Sequence, residues 1–199
     1  MDYTTLALVK ASMDGKETAE DTTLSWYISA ASKYLDKLCT SQPLAPDYFK
    51  LETVVDEFLT NGVVDHAGRL TVFPHKPVVS SVSAISYRSS MAQPWVSGDA
   101  LYAQPVEGMV IFEGSLSYSD LIYTKISYTG GLAATVADLP KDFIDLATLM
   151  TVRLFKEARS GLGDSIGVVE LGEMIYTKAF PQRLIDSITR TYGRTAPWM

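Results

Sequence analysis

Hydrophobic residues recur at three- and four-residue steps through DTTLSWYISAASKYLDKLC, residues 21–39: Leu24, Tyr27 or Ile28, Ala31, Leu35 and Leu38. That period predicts a helix with one inward face, opened by an Asp21/Thr22 cap and ended by Pro43 and Pro46. A shorter helix is expected over 4–13, with Thr4 or Thr5 as N-cap and Leu6, Val9 and Met13 facing inward. In LPKDFIDLATLMTVRLFKEARSG, Phe143, Leu146, Ala147, Met150, Leu154 and Phe155 make a wide apolar surface. This predicts a core helix over 140–160, with Pro140 in its first turn and Asp142 and Asp145 near the positive end of its dipole. A last amphipathic helix is expected over 181–192, between Pro181 and Gly193.

Between residues 51 and 129 the pattern changes. LETVVDEFLT, LTVF, VVSSVSAISYR, GMVIFEG and DLIYTKISYTGG are rich in β-branched and aromatic residues and bounded by turn formers, which predicts strands. VVDHAGRLTV reads as a hairpin with its tip at His66–Gly68, and 88–120 as a polar excursion hung from the sheet. The stretch after residue 160 is broken by glycines and holds two short strand-like pieces. Helices, strands, then helices again suggest an α+β fold. The expectation is a mainly helical body, with helices near 4–13, 21–39, 140–160 and 181–192, and an inserted antiparallel β-rich region near 51–129. All of it would form a single domain over 1–199.

Charge then narrows the possible partners. The 199 residues carry a net charge of −6, and residues 1–60 hold five Lys/Arg against ten Asp/Glu. Gripping nucleic acid needs clustered Lys and Arg, so sequence-specific DNA binding is disfavoured. No apolar run approaches the roughly 20 residues that span a bilayer. The acidic start MDYTTLALVK does not read as a signal peptide, so no membrane role and a cytoplasmic origin are expected. The one cysteine, Cys39, ends an apolar helical face and reads as a buried thiol.

Chemical motifs are few. YTGGLAATVADLP, residues 128–140, has the strand–glycine–helix order of a phosphate-binding turn. It lacks the lysine of a P-loop, and Asp138 stands where an anion would sit, so the glycines read as a positive-φ exit from the sheet. His66 and His75 lie at apparent turns and read as solvent-exposed, with no nucleophile elbow or metal-ligand spacing beside them. Asp56 and Glu57 would point to opposite faces of a strand, and Glu170 and Glu173 straddle a glycine. No catalytic residue, cofactor site or metal site is expected, and the reading is of a non-enzyme. Trp26, Trp95 and Trp198 fit core packing or protein contact.

The order of segments resembles one family, the head–tail connector (adaptor, or head-completion) proteins of tailed bacteriophages. YTTLALVKASM followed by DTTLSWYISAASKYLDKLC looks like the family's short and long opening helices. LTVFPHKPVVSSVSAISY is similar to its strand–Pro–strand pattern. ISYTGGL, then DLPKDFIDLATLMTVRLFKEARSGLGDSIG, then FPQRLIDSITRTYGR resembles its closing order of strand, Gly-Gly turn, proline-led helix, Gly-rich stretch and terminal helix. The 88–120 segment is longer than the family pattern.

The resemblance implies a structural virion protein at the capsid vertex, assembled in the host cytoplasm. It would form a ring of copies of itself, generally a dodecamer, below the portal protein. Such a ring extends the DNA channel, helps retain packaged DNA without sequence-specific binding, and offers a platform to the tail or the next adaptor. It also implies a portal-reaching C-terminal tail over 189–199, with Arg190 and Arg194 for polar contacts and Tyr192 and Trp198 as anchors. The rival readings are a tail-terminator or tail-completion ring protein, a ligand- or carbohydrate-binding β module, and a hydrolase with an unrecognised site.

Overall fold

A computed structural model of the chain describes residues 1–13, 20–39, 47–106, 108–117, 119–160 and 182–192. The chain divides into two compact units, Met1–Pro46 with Thr135–Met199, and Asp47–Ala134.

The first unit is helical: α1 (Leu6–Ser12), α2 (Asp21–Cys39), α3 (Lys141–Ser160) and α4 (Gln182–Tyr192). Thr5 caps α1, its hydroxyl accepting the Leu8 N–H at 3.3 Å. The carbonyl of Pro140 accepts the N–H groups of Phe143 and Ile144, so the proline supplies the first acceptors of α3 from just outside it. The expected apolar spacing is realised in α2, which buries Leu24, Ile28, Ala31 and Leu35. Val9 of α1, Leu24 and Ile28 of α2, and Val152 and Phe155 of α3 share one cluster, with Leu6, Met13 and Tyr27 against it. Ahead of α1, the buried Tyr3 packs edge-on against Phe143 with ring centroids 5.1 Å apart. Ile185 and Ile188 bury the inner stripe of α4.

The second unit is a curled antiparallel sheet of seven strands in the order β4-β3-β7-β1-β2-β6-β5. The strands are β1 (Glu52–Val64), β2 (Arg69–Val72), β3 (Val79–Arg88), β4 (Val96–Gly98), β5 (Ala103–Val106), β6 (Met109–Glu113) and β7 (Ser119–Gly130). The period of two is clearest on β7, where Ile122, Thr124, Ile126 and Tyr128 are buried and Tyr123 and Lys125 face away. Leu59, Val64, Leu70, Val72, Ile85, Val110 and Phe112 complete the sheet's own core. Each such side chain contributes about 1.5–3 kcal/mol by leaving water. The curl is visible at Gly98, where a Cβ would lie 2.7 Å from the Phe112 ring, although β4 and β6 are far apart in the strand order. Only a residue without a side chain lets β4 approach that ring.

The expectation of a mainly helical body is therefore overturned. The strands close around a hydrophobic core of their own and form a β-rich body rather than a decoration on helices. The physical reason lies partly in 88–120: β4 and β5 are only three and four residues long, too short for periodicity to register, yet they pair with β3 and β6. The hairpin at His66–Gly68 forms as expected between β1 and β2, with Gly68 at φ +79°. The expected strand-like pieces after residue 160, Pro181, and the Glu170/Glu173 pair lie outside the described residues.

Candidate functional site

The Gly130–Gly131 turn is a structural exit. Gly131 has φ +119°, and a Cβ there would sit 2.2 Å from the Lys50 carbonyl oxygen. Its N–H donates to the Val78 carbonyl at 2.7 Å, and the next two amides donate to the carbonyl of Phe49. Amides already paired to backbone are not offered to a phosphate. Gly130 is not at positive φ; it is required because a Cβ would meet the Tyr128 ring at 2.7 Å.

Reading both histidines as solvent-exposed holds for His66 alone. His75 is half-buried, and its Nδ1 contacts the carboxylate of Glu57, whose side chain is only 10% exposed. The backbone N–H of His75 also donates to Glu57, and the Tyr128 hydroxyl donates to the same carboxylate. Burial alone would raise the Glu57 pKa, but the hydrogen bonds from His75 and Tyr128, with the charge of His75, bring it below the ordinary value. The Tyr128 hydroxyl in turn accepts the Lys76 N–H at 3.1 Å. The buried Lys76 ammonium reaches Glu52 at 2.6 Å and the Asp47 carbonyl at 2.7 Å. Its hydrogen bond is the main reason the Glu52 carboxyl lies below its usual range. This network braces the start of β1 against the β2–β3 connection and β7.

Asp56 and Glu57 indeed go separate ways, but through a bulge. Asp56 has φ +52°, at a register shift between Val54 and Glu57, and its backbone N–H donates to the Ser127 hydroxyl at 2.9 Å. Cys39 is buried, and burial, followed by the nearby Asp36 charge, pushes its thiol up to about 12. That value leaves no thiolate for nucleophilic chemistry near neutral pH. Among the described residues no group of three His, Cys, Asp or Glu is placed to hold a metal ion.

What the structure assembles instead is a solvent-facing cluster on the outer side of the sheet. Register pairs Phe58 of β1 with Lys125 of β7, and Arg88 of β3 with Tyr123 of β7, so these four side chains share one face. The Phe58 and Tyr123 rings stack with centroids 6.1 Å apart and planes 8° apart. Trp95, just before β4, meets Phe58 edge-on at 6.1 Å. The Arg88 guanidinium lies 4.2 Å from the centre of the Trp95 ring and the Lys125 ammonium 5.0 Å from it. Arg88 is held in place by the carbonyl of Met91 at 3.1 Å. Phe58 and Met91 are exposed around it, at 39% and 59%. Trp95 was legible as an aromatic that favours contact; the two cations over its ring were not, because strand register places them there, Arg88 across the β3–β4 pairing and Lys125 from β7.

Of the implied tail residues, Arg190 is exposed in the last turn of α4, and Tyr192 is the last residue of that helix. Arg194 and Trp198 lie outside the described residues.

No family model matches the sequence, and no curated protein matches it. Among solved structures, the chain is similar to a chain of the neck of an empty gene transfer agent (GTA) particle computed with C6 symmetry. That likeness has a TM-score of 0.49 and 15% identity, over 91% of this chain and 86% of that one. It is also similar to a chain of the virion of a native GTA particle, at a TM-score of 0.47 and 15% identity over 89% and 79%. A third likeness, to a chain of the native GTA neck computed with C12 symmetry, has a TM-score of 0.34 and 14% identity over 91% and 87%. At TM-scores below 0.5 these likenesses define neither a fold nor a function for this chain.

Proposed function

We propose that the chain is a structural head–tail connector subunit of a tailed phage or phage-like particle. It would form a ring below the portal that extends the DNA channel and receives the tail or the next adaptor. The order of sequence segments supplies the class of protein, and the outer face around Trp95 is the observation that carries a role in assembly. An aromatic cluster with exposed Phe58 and Met91 beside it suits protein contact. The same face argues against the carbohydrate module, because the Trp95 ring that would stack on a sugar is already covered by Arg88 and Lys125. The neck setting of the similar solved chains agrees with this reading, which does not rest on them.

A ring is a closed heterologous assembly, so each subunit presents two different patches to its neighbours. The net charge of −6 suits a channel that DNA slides through without adhering. The test is mass by light scattering over a concentration series, with negative-stain images of the same fractions and of mixtures with the particle's portal protein. Closed rings with a central hole, alone or on the portal, are the expected result. A strict monomer that ignores the portal would overturn the reading.

A further inference from the structure

We propose that the Trp95 face receives the acidic start of α3 from a second copy of this chain. The inference deepens the ring reading above and rests on it. Arg88 and Lys125 are the cations of the face, and among the described residues neither forms an ion pair with a carboxylate; both are turned over the Trp95 ring. The attraction of a cation to an indole face does not neutralise its charge as a carboxylate would. The chain as a whole is acidic, so an anionic patch is what the surface of another copy has to offer.

One such patch is Asp138, Asp142 and Asp145, all exposed at the start of α3, with the exposed Lys141 among them. Asp138 accepts a hydrogen bond from Thr135 at 2.7 Å, and no Lys or Arg among the described residues neutralises the three carboxylates. Two unneutralised cations beside an exposed apolar rim on one surface, and three unneutralised carboxylates on another, are complementary and different. That is the requirement for a heterologous contact, which propagates from copy to copy and forms a ring where its rotation closes. Nucleic acid is the poorer occupant, because two cations on a chain of charge −6 provide little phosphate neutralisation.

The test uses the full chain and four samples: wild type, R88E/K125E, D142K/D145K, and an equimolar mixture of the two double variants. Light scattering over a concentration series reads association, and thermal unfolding checks that each variant folds. Each double variant alone should associate about tenfold more weakly than wild type. The mixture should recover wild-type association, because alternating copies offer either a native contact or a fully swapped one at every interface.

Wild-type association that neither variant changes, or a mixture that does not recover, overturns the inference and leaves the ring reading standing on another interface. A wild type that stays monomeric at every concentration also overturns it, and the connector reading is then decided separately by portal binding. Binding of a 20-residue oligo-dT that R88E/K125E abolishes, with association unchanged, would assign the face to nucleic acid and overturn it as well.

Discussion

The imidazole of His75 rests on the carboxylate of Glu57, joining the connection after β2 to the bulged start of β1. The pair has a definite sign in its pH dependence. The folded-state pKa of Glu57 lies below its unfolded value, which is about 4.3. Stability from this group is therefore fully present above that value, and is lost as pH falls through the lower folded one. Denaturant unfolding of wild type should weaken as pH drops below about 5, and E57Q should show a shallower decline. At pH 7, E57Q should cost roughly 1–3 kcal/mol, since it weakens hydrogen bonds to a largely buried carboxylate. Equal acid sensitivity in the two proteins would remove Glu57 from this role.

Gly131 carries the sheet exit. G131A places a Cβ where φ is +119° and where the Lys50 carbonyl oxygen would be 2.2 Å away. Backbone strain alone costs about 1–3 kcal/mol, and the overlap adds to it. A clear fall in the thermal midpoint is expected. An unchanged midpoint would show that the turn can be rebuilt.

Tyr3 ties the chain's first residues to α2. Its backbone N–H donates to the Ser32 hydroxyl at 2.9 Å, and its own hydroxyl donates to the buried Asp36. Y3F should lose about 1–3 kcal/mol by leaving that carboxylate short of a donor. Y3A should lose about 3–5 kcal/mol, because the ring packed against Phe143 disappears as well. Chemical denaturation of the two variants separates hydroxyl from ring.

Cys39 should be silent to thiol reagents. It is 2% exposed with a thiol pushed up to about 12. Ellman's reagent should react in denaturant and hardly at all under native conditions. Rapid native labelling would mean that the end of α2 opens readily.

Removing residues 190–199 tests the portal-reaching tail. The α4 core residues Ile185 and Ile188 precede the cut, so the truncated chain should unfold within a few degrees of the full one. It should no longer bind portal. Normal binding would end the proposed role of Arg190, Tyr192, Arg194 and Trp198.

By itself the sequence determined what depends on near neighbours along the chain. The limits of α2 and α3, the Thr5 cap, the hairpin at Gly68 and the longer strands follow from periodicities and turn residues spanning a few positions. Tertiary structure alone decided how the strands join, since β1 pairs with β7 and β3 with β7 across more than thirty residues of chain. That pairing curls the sheet around a core of its own. It seats His75 on Glu57, and it brings Phe58, Arg88, Trp95, Tyr123 and Lys125 onto one face. Spacing in sequence carries no sign of such meetings, because pairing register and bulges set them, and these are fixed only when buried side chains from distant strands pack together.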